Sequence, residues 1–184
     1  MNTFEELPLW NILECKEIID FSLSQDWKDA TVSRGHKKGI SNQALRVCRE
    51  TFIPQETRPD LCQEVYDIAV QANRDWNFEI DSLDGGGFHV FWYGAGQGHF
   101  MPHTDWGGLN DKRKMSITVQ LSNSGDYEGC EVNLYDGPES PWPCHKGQGV
   151  ATVFPSWTLH EVTPLISGER YAVVAWVVGR RSYR

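Results

Sequence analysis

His103-Thr104-Asp105 puts an imidazole and a carboxylate two positions apart. On an extended strand, residues so spaced point to the same face. His160 lies far downstream, and Arg170 follows ten residues after it. Two histidines and one carboxylate are the ligand set of a non-haem Fe(II) facial triad. Such a set fills one face of an octahedron and leaves positions open for a co-substrate and oxygen, unlike a closed structural site. A lone His-X-Asp is common by chance. Here the approach Tyr93-Gly94-Ala95-Gly96-Gln97-Gly98 and the spacing to His160 and Arg170 strengthen it.

The elements that must hold these residues read as helices first and strands after. Apolar residues at Leu9, Ile12, Leu13, Ile18, Ile19 and Phe21 recur at helical spacing, with Pro8 near the start. A second helix is predicted over Pro59–Trp76, its stripe made by Leu61, Val65, Ile68, Ala69 and Ala72. Between them, Asp26–Arg34 reads as extended and Gly35–Gly39, with His36, as a polar loop. After Trp76, short aromatic and β-branched runs alternate with turn signals. The predicted strands are Phe78–Ile80, Phe88–Tyr93, His99–Asp105, Met115–Leu121, Glu131–Tyr135, Val150–Phe154, Leu159–Leu165 and Tyr171–Val178. That spacing suits a sandwich or barrel of jelly-roll type, and the order of elements is α+β.

Two of these strands bear on the site. Met115–Leu121 alternates strictly, with Ser116, Thr118 and Gln120 on one face. That face meets either solvent or the wet interior of a small barrel. In the last strand Arg170, Ala172, Val174 and Trp176 share a face, and neither face is suited to water. An arginine there needs an anionic partner, either an internal Asp or Glu or a ligand carboxylate held by the guanidinium fork.

At 184 residues with 40% hydrophobic and 23% charged content, the chain reads as one soluble domain, helical over about 1–76 and β-rich over about 77–180. The formal charge of −8, with Lys and Arg scattered, argues against nucleic-acid binding and against an anionic membrane surface. Five cysteines without a C-X-X-C pair read as free thiols in a reducing compartment and give no zinc pattern. The acidic N-terminus is not a secretory signal and no apolar run would span a bilayer, so the expected location is cytoplasmic.

From Phe78 to Val178 the chain resembles the Fe(II)/2-oxoglutarate-dependent dioxygenases, the prolyl 4-hydroxylase-like branch in particular. The motifs that carry the resemblance are Phe91-Trp92-Tyr93-Gly94, His103-Thr104-Asp105, Arg113-Lys114-Met115-Ser116, Asp126 to Glu131, Phe154 to Pro164, and Gly168-Glu169-Arg170-Tyr171-Ala172 with Trp176. The resemblance implies a double-stranded β-helix (jelly roll) buttressed by N-terminal helices, with Fe(II) held by His103, Asp105 and His160. It implies that Arg170 grips the distal carboxylate of 2-oxoglutarate, and that Tyr93 and Trp176 line the co-substrate pocket. Many relatives carry a tyrosine on the central strand where Gln120 stands here, so either Gln120 or Thr118 is expected to hydrogen-bond that carboxylate. Cys130 stands where relatives often have glycine. Arg113, before the central strand, reads as a solvated strand end in preference to a residue reaching the pocket mouth, His99 as a pocket-edge or surface residue, and His89 and His145 as structural.

The implied reaction consumes O2 and 2-oxoglutarate, releases succinate and CO2, and hydroxylates a substrate C–H bond, with ascorbate supportive. A carboxylate at Asp105 favours hydroxylation over halogenation. The branch points to a prolyl residue in a peptide or protein as substrate. A free amino acid or other small molecule is the alternative, and a non-catalytic cupin-like binding module is the alternative of another class. The segments Gly35–Gly39 and Arg49–Arg58 are candidates for shaping substrate access.

Overall fold

A computed structural model describes residues 3–34, 37–94, 98–138 and 140–183. Helix α1, Ile12–Leu23, starts later than Pro8 would place it. The Asn11 side chain accepts from the backbone N–H groups of Leu13 and Glu14, and the Glu14 side chain returns to the Asn11 N–H. This capping box fixes the helix start. Pro8 instead ends the strand Glu5–Pro8 at a sheet edge, where a missing N–H costs little. Helix α2, Pro59–Ala72, has proline at its first turn and buries the predicted stripe.

Two antiparallel sheets face each other. The larger has eight strands. Its main path runs Glu5–Pro8, Val150–Pro155, Arg113–Gln120, Arg170–Val178, Gly87–Tyr93, Arg49–Pro54, Lys28–Asp29, with Ser82–Leu83 added beside Arg170–Val178. The smaller runs Trp142–Pro143, Val132–Tyr135, Leu159–Val162, His99–His103, Arg46–Val47. The helices pack on the outer face of the large sheet, where Met115, Ile117, Val119 and Leu121 join one apolar core with Ile18, Val65 and Ala69. A second apolar cluster, including Phe91, Leu134, Phe154 and Val162, fills the space between the sheets. Ser116, Thr118 and Gln120 are buried on that inner side, so their polar face meets the interior and not bulk water.

Three predicted strands differ. His99–Asp105 stops at His103 and leaves Asp105 on the loop that follows. Phe78–Ile80 is not a strand, because the Asn73 side-chain amide takes both the N–H and the C=O of Phe78 and leaves neither for a ladder. Leu159–Leu165 divides at Thr163-Pro164, where proline has no ladder N–H. Leu165–Gly168 then pairs with Tyr127–Gly129 in a separate ribbon. Of the loop read at Gly35–Gly39, Lys37–Gly39 belongs to the strand Lys37–Ile40, which pairs with Val32–Arg34, while Gly35, His36 and Ala95–Gln97 lie outside the described residues. All five cysteines are free and buried. Among the described residues, no helix is long and apolar enough to cross a membrane.

Candidate active site

His103 ends the strand His99–His103 and is the cross-strand partner of His160 in Leu159–Val162. Asp105 follows on a loop tied by its N–H to the Ser156 carbonyl at 3.0 Å. Pairing in the small sheet thus brings together two histidines that are far apart in sequence. One ligand atom from each of His103, Asp105 and His160 lies within 4.8 Å of the others. Asp105 Oδ2 is 3.3 Å from His160 Nε2, and Oδ1 is 3.7 Å from His103 Nε2.

The next layer of contacts orients these groups. His103 Nδ1 lies 2.8 Å from the Met101 carbonyl and His160 Nδ1 2.9 Å from that of Thr158. A carbonyl oxygen only accepts, so each Nδ1 donates and each Nε2 is the ring nitrogen turned toward Asp105. Ser116 Oγ donates to Asp105 Oδ2 at 2.7 Å and is itself 3.1 Å from Ser156 Oγ. Burial disfavours a charge on Asp105, but His160 and His103 outweigh it and hold the carboxyl well below its usual range. Burial, then His160, pushes His103 down to about 3, whereas Asp105 keeps His160 above its ordinary value against the cost of burial. An ionised carboxylate and two imidazoles so oriented are a donor set that fits a divalent metal. The cupin-like binding module would have been favoured had these donors failed to converge, and they converge.

Arg170, Thr118, Tyr93 and Trp176 line the same inner cavity of about 50 Å³ as the three potential ligands. Arg170 is 1% exposed. Its Nε donates to Gln120 Oε1 at 2.8 Å and its Nη2 to the same oxygen. Gln120 Nε2 donates to the Tyr127 hydroxyl at 2.6 Å. The Tyr93 ring centroid is 5.3 Å from Arg170 Cζ, and burial raises the Tyr93 phenol so that it stays protonated. No carboxylate lies within 4.0 Å of Arg170 among the described residues. A buried guanidinium with only neutral partners is suited to an incoming carboxylate. Gln120 therefore positions the arginine, its own amide being committed on both sides, whereas Thr118 lines the cavity.

Several residues depart from their sequence reading. Cys130 has φ 52°, the left-handed conformation that glycine adopts most readily, and its thiol helps hold the Arg170 charge against the cost of burial. Arg113 is not a solvated strand end. Its Nε donates to Asp84 at 2.7 Å, its Cζ sits 3.8 Å above the Trp176 ring, and it lines an outer groove of about 570 Å³. His89 lines that groove too, 3.3 Å from Glu50. His145 is exposed, its Nδ1 accepting from the Gly147 N–H, and His99 lies outside the linings of both spaces. Of the proposed access segments, Gly39 and Glu50 line the groove. Arg46 has no counterpart among the residues singled out from sequence, whereas Ser116 and Tyr127 stood there within a strand face and a motif but without a role. The signal for Arg46 was the run Arg46, Cys48, Glu50, whose period of two turns polar groups to one face.

No family model matches the chain. Part of it is 38% identical over 68 residues to a PKHD-type hydroxylase of Synechococcus sp. (strain CC9605), covering 37% of this chain and 31% of that protein. Another PKHD-type hydroxylase, from Alteromonas mediterranea, is 41% identical over 64 residues, 34% of this chain and 27% of the relative. The matched stretch spans about a third of the length of these curated relatives. In structure, the chain superposes on a Pseudomonas putida prolyl-4-hydroxylase with TM-score 0.78 at 14% identity, covering 98% of this chain and 94% of that one. It matches equally a Trichoplax adhaerens prolyl hydroxylase in complex with a hypoxia inducible factor peptide fragment, TM-score 0.78 at 20% identity, covering 97% and 84%. The resemblance read from the motifs is thus met by PKHD-type hydroxylases in sequence, and the double-stranded β-helix is the fold of the prolyl 4-hydroxylase-like 2-oxoglutarate/Fe(II) oxygenases.

Proposed function

We propose that the chain is an Fe(II)- and 2-oxoglutarate-dependent dioxygenase that hydroxylates a prolyl residue in a peptide or protein, releasing succinate and CO2. The observation that carries this reading is that His103, Asp105, His160 and an arginine without a counter-ion line one cavity. In it, His103 Nε2, His160 Nε2 and an Asp105 oxygen would hold the metal. Fe(II) bound there would supply the oxygen chemistry that side chains lack.

The chain's own residues bind, orient and exclude water. Arg170 pairs with the distal carboxylate of 2-oxoglutarate, and Gln120 and Tyr127 keep its fork aimed. Ser116 holds the Asp105 carboxylate in place. Phe91, Val132, Phe154, Val162 and Val174 make the remaining wall apolar, which keeps water from competing with the bound groups. The outer groove opens beside His103 and Asp105 and gives an extended peptide a place to lie. The peptide-bound Trichoplax neighbour supports that substrate class.

The test is succinate formation with Fe(II), 2-oxoglutarate and ascorbate, in the wild type and in His103→Ala and Arg170→Ala. Iron-dependent succinate that disappears in both variants is the expected result. Wild-type protein that binds neither Mn(II) nor 2-oxoglutarate by calorimetry would overturn the reading.

A further inference from the structure

Of the three potential metal ligands, Asp105 is the one that no strand holds. His103 ends the strand His99–His103 and His160 sits within Leu159–Val162, whereas Asp105 belongs to the loop after His103. That loop carries Trp106 and Leu109, both exposed and both outside the two apolar clusters. Trp106 Nε1 donates to the Asp111 carbonyl at 3.0 Å, which closes the loop on itself and not onto a sheet. A metal-binding set must hold its donors to within about 0.5 Å. The ties that fix this loop therefore matter more than those of a strand.

The ties form a short chain. The N–H groups of Asp105 and Trp106 both donate to the Ser156 carbonyl, at 3.0 and 2.9 Å, and the Ser156 N–H donates to the Lys114 carbonyl at 3.0 Å. Lys114 falls where the pairing of Arg113–Gln120 with Arg170–Val178 shifts register. Its carbonyl accepts a second hydrogen bond, from the Tyr183 hydroxyl, so both lone pairs are used. Burial raises the Tyr183 phenol, and the hydroxyl keeps the proton it donates. The ring makes the remaining contacts. Its centroid is 4.3 Å from that of Trp157 and 5.9 Å from that of Trp106, both edge to face, and Lys114 Nζ stands 4.3 Å from it. Such ring pairs and a cation over a ring are favourable. One half-buried side chain thus grips the residue after Asp105, the residue after Ser156, and Lys114 at both its carbonyl and its ammonium.

We propose that Tyr183 is a positioning residue for the metal site. Through the Lys114 carbonyl, Ser156 and the Trp106 ring it holds the Asp105 loop in place against His103 and His160. The strand Arg170–Val178 then serves both ends of the cavity, with Arg170 at its start and Tyr183 beyond its end. The inference rests on the metal-binding part of the dioxygenase reading above.

The experiment compares the wild type with Tyr183→Leu and Tyr183→Phe, each first checked for folding by circular dichroism. Mn(II) affinity is measured by calorimetry, and the arrangement of donors around bound Mn(II) by the line shape of its electron paramagnetic resonance. Tyr183→Leu keeps apolar bulk but loses the hydroxyl and the ring edges. It is expected to bind Mn(II) about tenfold more weakly or worse, the scale for groups that orient metal ligands. Its bound ion should give broader lines, because the carboxylate no longer takes one position. Tyr183→Phe loses only the hydrogen bond to Lys114 and is expected to weaken Mn(II) about threefold, with an intermediate line shape. Wild-type affinity in Tyr183→Leu, or weaker binding with the wild-type line shape, would overturn the assignment while the dioxygenase reading stands. Should Tyr183→Leu fail to fold, wild-type affinity in Tyr183→Phe would overturn it instead. Wild-type protein that binds no Mn(II) would remove the dioxygenase reading and this inference with it.

Discussion

At one end of the inner cavity every polar group is tied to the protein. The two Nδ1 atoms meet backbone carbonyls, and Asp105 accepts from Ser116, which Ser156 backs in turn. At the other end Arg170 is equally buried but meets only a glutamine, a thiol and phenols. The first end is built to hold three donors in place before a metal arrives. The second holds a charge in place and leaves its counter-charge to a ligand. One cavity can thus be rigid at both ends while its stability depends on a ligand at only one.

The largest effect that would sharpen this contrast is at the metal end. His103→Ala or Asp105→Ala is expected to bring Mn(II) binding below detection in calorimetry; binding that survives would break the assignment. Next is Ser116→Ala, which removes the 2.7 Å hydrogen bond to Asp105. Groups that orient metal ligands typically contribute about 10–100-fold to metal affinity, and a loss in that range is expected in the same titration. An unchanged affinity would show that the loop alone positions Asp105.

At the anion end, Gln120→Leu strands two guanidinium N–H groups. Denaturant unfolding of the metal-free protein should show a loss of ~1–3 kcal/mol. Saturating Mn(II) and 2-oxoglutarate should stabilise the wild type, by about 2.7 kcal/mol at a hundredfold excess over Kd, and Arg170→Ala much less. Equal stabilisation of both would erase the distinction between the two ends.

The smallest effect concerns the thiols. Burial pushes Cys15 and Cys62 up to about 11 and Cys144 up to about 12. At pH 8 on the order of a thousandth or less of these groups is thiolate, the reactive form. Labelling by a thiol reagent should be slow at pH 8 and rise about tenfold per pH unit toward pH 11. Rapid labelling at pH 8 would contradict their burial.

The parts of this architecture that follow local rules were legible in the sequence. The stripe of α2 and the alternation of Met115–Leu121 read directly from periodicity, and two residues per face is a rule that survives any fold. What escaped depends on contacts between distant segments. That Phe78 has no strand partner is decided by the Asn73 side chain, and the split at Pro164 by a second ribbon. Gln120 was read as a residue for the co-substrate, but its amide is taken by Arg170 and Tyr127 from two other strands. Arg113 read as a strand end because neither Asp84 nor Trp176 is near it in sequence. Cys130 had no account from sequence, and its positive φ beside Arg170 supplies one. Arg46 carries no motif at all; only the topology places it in the linings of both the cavity and the groove.

The central claim is that Arg170 is an anion site completed by 2-oxoglutarate beside a metal held by His103, Asp105 and His160. Its most direct test is calorimetric titration of 2-oxoglutarate into Mn(II)-loaded wild type and Arg170→Ala. Metal-dependent binding to the wild type that weakens in Arg170→Ala by ~2–5 kcal/mol, the scale for truncating one partner of a buried charged pair, is the predicted result. Equal affinity in the two proteins, or no binding to the wild type with metal present, would contradict it.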